Sequence, residues 1–217
     1  MISVIVPIYN ESIENIKRFE QELNKQEGEF EVIFVDASKF IYKSKMFKVI
    51  PSLKGRGIQQ NLGVRESKFE KILFLHVDSS FEDSDAIIKA AKALDHCKLG
   101  CFKMKFDDSG IILSIISFFS NLRVKFKNIA FGDQGIFISK SLFDELGGFK
   151  EIALMEDLEF SIRARKQGLS FYQLSKFITT SARKFKKEGI LKTIIKMQIL
   201  QYQFKKGISI DEIAKKY

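Results

Sequence analysis

The chain opens with two apolar runs that bracket one amphipathic stretch, and that order leaves few folds open. Ile2-Ser3-Val4-Ile5-Val6-Pro7 and Phe30-Glu31-Val32-Ile33-Phe34-Val35 read as strands. The first is almost continuously apolar, as expected of a strand buried on both faces. Between them Ser12 can cap a helix reaching about Asn24, with Ile13, Ile16, Phe19 and Leu23 spaced by three and four and Glu20 as the one polar exception. Gly28 breaks that helix. A strand–helix–strand unit closes by a right-handed crossover and pairs its strands in parallel. Polar residues then fall where these strands end: Ile8-Tyr9-Asn10-Glu11 after the first and Asp36 after the second. In open α/β sheets, ligands gather in the crevice beyond the carboxyl ends of the strands.

A third such ending is Leu73-Phe74-Leu75-His76-Val77-Asp78, expected as a buried strand that stops on a His-x-Asp pair. A carboxylate there can hold a magnesium or manganese ion against a phosphate, because these cations favour oxygen ligands and keep substrate phosphates in their shell. The plainer reading is that Asp78 caps the following helix while His76 packs. Further along, the pattern predicts a short strand at 47–50, helices at 58–67 and 86–94, and a strand at 99–106. Ile111 to Leu122 is an apolar helix whose default is core packing; exposed, it would mark an acceptor groove, a dimer contact or a membrane edge. Phe131-Gly132-Asp133-Gln134-Gly135 is a polar turn leading into a strand at 136–138. A short helix at 142–146 ends at Gly147-Gly148, and Met155-Glu156-Asp157 opens a helix to Gln167. A last strand is expected at 170–174. Over 190–204 a tail helix carries Leu191, Ile194, Ile195, Ile199 and Tyr202 as a stripe that can dock on the body. Gly55-Arg56-Gly57 matches no phosphate-loop fingerprint, but Arg56 near a helix start suits a phosphate or a base edge.

With 217 residues the chain can bury one sizeable core without a second domain. Cys97 and Cys101 form no zinc pattern, and no secretory leader is read, so both are expected to be reduced, in a cytoplasmic protein. The net charge of +9 is concentrated at the end: residues 183–217 hold ten Lys/Arg against three Asp/Glu. Such a tail can meet anionic lipid, as a peripheral contact at an inner membrane face, or a phosphorylated substrate; its plain reading is a solvated helix face. Nucleic acid is disfavoured, because the basic residues carry no interleaved stacking aromatics. The longest apolar stretch is too short to span a bilayer.

Taken in order, these blocks resemble family-2 glycosyltransferases of the nucleotide-diphospho-sugar type, the GT-A fold. Val4-Ile5-Val6-Pro7-Ile8-Tyr9-Asn10-Glu11 resembles that family's opening strand and loop. Val32-Ile33-Phe34-Val35-Asp36 resembles the second strand with its base-binding aspartate, and Phe74-Leu75-His76-Val77-Asp78 occupies the place of the Asp-x-Asp metal motif. Gly147-Gly148-Phe149 and Met155-Glu156-Asp157-Leu158-Glu159-Phe160 resemble its acceptor-side blocks. Gly55-Arg56-x-x-Gln59-Gln60-Asn61-x-Gly63, Gly132-Asp133-Gln134-Gly135, Thr180-Ser181-Ala182-Arg183-Lys184 and Ile213-Ala214-x-x-Tyr217 are similar to a small stand-alone branch, the radical-SAM/selenodomain-associated transferases. Two departures stand out. Ala37-Ser38-Lys39-Phe40 replaces the usual Gly-Ser-Thr-Asp after Asp36, and His76 replaces the first aspartate of the metal motif, leaving one carboxylate.

The resemblance implies an α/β GT-A fold: a single Rossmann-like, mostly parallel sheet flanked by helices over 1–182, with a basic helical extension, 183–217, packed on the same domain. It implies metal-assisted transfer, with inversion, of a hexosyl group from a nucleotide-sugar donor to an acceptor hydroxyl. Asp157 would be the base, with Glu156 as its neighbour or substitute. Asp78 would hold a divalent cation, manganese or magnesium. Pro7, Tyr9, Glu11, Asp36, Arg56, His76 and Arg183 would line the nucleotide and diphosphate, and Asp133 and Gln134 would orient sugar or acceptor. Two alternatives stay open: a nucleotidyltransferase, and a non-catalytic module that kept the fold to bind a nucleotide or a partner.

Overall fold

The computed structural model describes residues 1–215, so Tyr217 of the closing motif lies outside the described residues. Strands β1 (Ile2–Ile8), β2 (Phe30–Asp36), β3 (Lys48–Pro51) and β4 (Lys71–Phe74) are joined by helices α1 (Ile13–Asn24) and α2 (Arg56–Arg65). They pair in parallel, β1 with both β2 and β4, and β2 with β3. Ser12 caps α1 as expected, its side chain accepting from the Asn15 N–H at 3.2 Å. After β5 (Ser80–Phe81) and α3 (Ala86–Ala93) come β6 (Leu99–Phe106), α4 (Ile111–Lys127), a single 3-10 turn at Gly132–Gln134, and β7 (Ile136–Ser139). Helices α5 (Lys140–Glu145) and α6 (Glu156–Lys166), β8 (Tyr172–Thr180), and helices α7 (Arg183–Glu188), α8 (Ile190–Lys205) and α9 (Ile210–Ala214) complete the chain.

One eight-stranded sheet runs β3-β2-β1-β4-β7-β6-β8-β5. Strand β7 is antiparallel to both of its neighbours, while β6 and β8 are parallel to each other. The reversal matters for the site. Because β7 runs against β1, β2, β4, β6 and β8, its amino end lies at the same edge as their carboxyl ends. The turn that precedes β7 is therefore delivered to that edge.

Two apolar clusters cover the two faces of the sheet. Val4, Val6 and Phe34 point into one with Phe19, Leu23, Ile87 and Ala90 of α1 and α3. Ile5, Ile33 and Val35 point into the other with Val64, Phe143, Phe149 and Phe160. This is the period-two alternation of a sheet buried on both sides. Cys101 is buried on β6 and both cysteines are free.

Four expectations are corrected. The strand ending at Asp78 stops at Phe74; Leu75 N–H still donates to Ile5 O at 3.0 Å, but His76 to Ser79 is a turn closed by Ser79 N–H to His76 O, 3.0 Å. The last strand is Tyr172–Thr180, with polar Gln173, Ser175 and Lys176 on positions that are exposed or half-buried, which hid its length. Helix α4 does not sink into the core: Leu113, Ser117 and Val124 are buried, whereas Ile111, Ile115, Phe118 and Phe126 are exposed. Helix α8 docks on the opposite side from the one expected. Leu191, Ile195, Ile199 and Tyr202 face solvent, while Thr193, Leu200 and Gln201 are buried and Met197 and Phe204 pack on Ile129, Met155 and Leu158. Apolar residues lie on both sides of this helix, so spacing alone selects neither.

Candidate active site

The residues expected on the nucleotide side lie at the end of β1 and β2, where a buried amide sets the edge. Gln59 Nε2 donates to both Ile8 O and Val35 O at 2.7 Å, tying the two strand ends to α2. Asn10 adopts a left-handed conformation, φ 51°, and its N–H donates to Ser38 Oγ at 2.8 Å. Asp36 is 1% exposed, and its two oxygens accept from Ser38 N–H at 2.8 Å and Tyr42 N–H at 2.7 Å. Its carboxylate thus organises the loop that departs from the family pattern. Pro7 is half-buried within β1. Tyr9 is 43% exposed, with the Lys54 ammonium 4.5 Å from its ring centre. That offers a flat aromatic face and a cation together.

The His-x-Asp turn sits next to this edge. Arg18 Nη2 donates to Val77 O at 2.9 Å and holds the turn down. Burial raises the Asp78 carboxyl above its ordinary range; Glu11 adds to the rise, while Arg56 and Arg183 oppose it. Glu11, Arg56 and Arg183, the last exposed at the start of α7, are thus near enough to Asp78 to influence its charge. Burial, together with Arg56, lowers His76 to about 3, so its imidazole is neutral at physiological pH. His76 Nε2 is buried with no hydrogen-bond partner. It lies where a side chain on Gly132 would go, 2.9 Å from the position of such a Cβ.

Across from the turn stands α6. Met155, in the left-handed conformation at φ 68°, swings the chain into it; a non-glycine residue there is strained, which is common at functional sites. Asp157 is then fixed by two backbone donors: Gly132 N–H to Oδ2 at 2.9 Å and Leu158 N–H to Oδ1 at 2.7 Å. Glu156 is 3% exposed, with Arg56 Nη1 at 3.5 Å from Oε1. Burial and the neighbouring Asp157 push its carboxyl up to about 7. Asp133 is pushed up to about 6, by burial and by Asp157 and Asp78, with Arg123 and Arg56 opposing. Its Oδ1 is buried and accepts no hydrogen bond. A Cβ on the neighbouring Gly132 would lie 2.9 Å from His76 Nε2 and 3.6 Å from Asp157 Oδ2, so the His-x-Asp turn and the start of α6 meet at this glycine.

Eight of the residues picked from sequence converge here: Glu11, Arg56, His76, Asp78, Asp133, Glu156, Asp157 and Arg183. Pro7, Tyr9 and Asp36 stand at the neighbouring strand ends. Gln134 turns inward: it is 0% exposed, its Oε1 accepting from Arg123 Nη2 at 3.1 Å and Phe131 N–H at 3.2 Å. Arg123 was missed. Its guanidinium stacks 3.8 Å above the Phe131 ring and donates to Ile129 O at 3.2 Å, bracing the whole 129–134 segment. The available signal was a lone arginine inside an apolar helix. Asn61 also braces the site, donating to Phe149 O at 2.8 Å and accepting from Phe149 N–H at 2.9 Å. Gly147-Gly148-Phe149 is thereby clipped to α2.

Among the described residues no three His, Cys, Asp or Glu side chains gather into an all-protein metal site. One carboxylate, Asp78, with Glu11 nearby fits only a cation that shares its shell with phosphate oxygens, the usual arrangement for magnesium at a phosphorylated substrate.

A sheet whose parallel strands end at this edge, with the reversed β7 fed by an acidic turn at the same edge, is the GT-A glycosyltransferase fold. The Glycosyl transferase family 2 model matches residues 3–147, more than half of the chain, and the chain belongs to that family. Among solved structures it is similar to the mannosyltransferase PcManGT from Pyrobaculum calidifontis, in complex with GDP-Man and Mn2+. That pair has 18% identity and a TM-score of 0.61, covering 82% of this chain and 56% of that one. It is also similar to S. aureus TarS 1-349 in complex with UDP-GlcNAc, at 22% identity and a TM-score of 0.63, covering 83% and 58%. The UDP complex of TarS 1-349 aligns at 23% identity and a TM-score of 0.63, covering 85% and 62%. The chain thus spans under two thirds of the length of these structures. No curated protein matches it.

Proposed function

We propose that the protein transfers a hexosyl group from a nucleoside-diphosphate sugar to an acceptor hydroxyl, with inversion. The observation that supports this most is that Gly132 stands between the His-x-Asp turn and α6: its N–H donates to Asp157 Oδ2 at 2.9 Å, and a Cβ on it would lie 2.9 Å from His76 Nε2. Donor sugars carried by the similar structures, GDP-Man and UDP-GlcNAc, are of the same chemical class. In this reading Arg56 and Arg183 flank the donor diphosphate, and Asp78 would hold a manganese or magnesium ion. That cation supplies Lewis-acid stabilisation of the charge on the departing diphosphate. The acceptor oxygen bonds to the anomeric carbon from the opposite face, the carbon–diphosphate oxygen bond breaks, and the acceptor proton passes to Asp157. Two backbone N–H groups aim the Asp157 carboxylate and leave each oxygen a free lone pair. Glu156 positions Arg56, Tyr9 faces the base and ribose, and Asp36 orders the 38–42 loop beside them.

Titration with nucleoside diphosphates in the presence of manganese, followed by sugar-transfer assays, tests this. Asp157→Asn should keep nucleotide binding and lose transfer by about 10²–10⁴, the usual contribution of a general base. Asp78→Ala should abolish metal-dependent binding. Full transfer by the first variant removes the base; metal-independent binding at wild-type strength in the second removes the cation. A second reading has one observation in its favour: Asp36 spends both oxygens on its own loop. A non-catalytic nucleotide-binding module of this fold would bind nucleoside diphosphates yet turn over no sugar nucleotide.

A further inference from the structure

Two helices, α4 and α8, carry exposed apolar faces. On α4, Ile111, Ile115, Phe118, Phe119 and Phe126 are 49–79% exposed, and at 100° per residue they fall within one third of the helix circumference. On α8, Leu191, Ile195, Ile199 and Tyr202 are 49–66% exposed and form a second stripe. The chain segments at both ends of the two helices are tied together. Lys186 of α7 pairs with Asp108, just ahead of α4, at 2.7 Å. At the far end, Leu200 and Phe204 of α8 pack with Ile129, two residues past the end of α4. Phe118 also lines a groove at the carboxyl end of β6, where Met104, Phe106 and Phe177 share the walls with polar Asp107, Asp108 and Asn121.

Charge decides what covers it. Lys192, Lys205 and Lys206 are exposed beside the α8 stripe, and Lys125 and Lys127 sit in the last turn of α4. Residues 183–217 carry ten Lys/Arg against three Asp/Glu. In a two-fold self-contact through this face, those lysines would meet their own copies. A bilayer with anionic headgroups meets both features, because apolar side chains enter the acyl boundary while lysines reach the phosphates. We propose that the α4 and α8 faces seat the protein on an anionic membrane surface. The seat does not depend on the transfer reaction, so the two readings fail separately.

Sedimentation of the full-length protein with vesicles tests it, comparing equal parts phosphatidylglycerol and phosphatidylcholine with phosphatidylcholine alone. The expected partition is about tenfold or more in favour of the anionic vesicles at low salt, shrinking as salt screens the lysines. Phe118→Ser/Phe119→Ser and Leu191→Ser/Ile195→Ser should each cut binding about tenfold at unchanged Tm, since the altered side chains are exposed. Lys192→Gln/Lys205→Gln/Lys206→Gln should erase the preference for anionic lipid. Equal partition of wild type on both vesicles, or wild-type binding by both apolar variants, overturns the proposal. So does a dimer in ultracentrifugation that Phe118→Ser/Phe119→Ser dissolves, which would assign the face to a second copy.

Discussion

Glu156 is the residue at which site chemistry and stability meet. Its carboxyl is pushed up to about 7 from an ordinary 4.5, first by burial and then by Asp157. The folded protein therefore holds a proton there that the unfolded chain releases, so this contribution is fully present below about pH 4.5 and is lost as pH rises towards 7. Glu156→Gln keeps the shape without the charge. Relative to wild type, the variant should gain Tm progressively between about pH 5 and 7 and hold that gain above. His76, lowered to about 3, gives the opposite slope, but it is present in both proteins and cancels in the difference. A wild-type-minus-variant Tm difference that stays flat across this range would show that Glu156 is not buried as described. This environment was only half legible in the chain: an acidic pair at a helix start could be read from spacing, whereas burial depends on Arg56 and the 132–134 turn, remote in sequence.

At the level of elements, α2 is a brace for the cleft. Gly57 lets it pass Lys150 O, which a Cβ there would meet at 2.4 Å, and Asn61 clips both backbone groups of Phe149. Asn61→Ala leaves two part-buried backbone groups without their partner, a loss of about 1–3 kcal/mol each at most. Urea unfolding should show a lower midpoint with unchanged slope; an unchanged midpoint would mean that the clip carries no load. The parallel βαβ opening was readable because Val4, Val6 and Phe34 share the apolar, β-branched or aromatic character of buried strands. The end of β4 was not, because Leu75 and Val77 are as apolar as strand residues and only the Ser79 turn stops the ladder. Strand β8 was cut short for the converse reason: Gln173, Ser175 and Lys176 read as loop. For α8, apolar residues on both faces concealed which one docks.

On the scale of the whole molecule, the tail is structural support for the site. Met197, Leu200, Phe204 and Ile213 cover Ile129, Met155 and Leu158, the apolar floor beneath the first turn of α6. Ending the chain at residue 188 strips that cover, exposing several side chains whose burial stabilises the fold by about 1.5–3 kcal/mol each. Tm should fall, and amide exchange over 155–159 should accelerate more than in β1 and β2; uniform exchange would show that the tail supports nothing locally. The reversed β7 has one more consequence, in the order of synthesis. Both of its neighbours precede it in the chain, and β6 has no partner at all until β7 emerges. A nascent chain that has reached Lys127 carries the exposed flanks of β4 and β6 together, each a template for pairing with a stranger. Four residues, Ile136 to Ser139, then seal both at once.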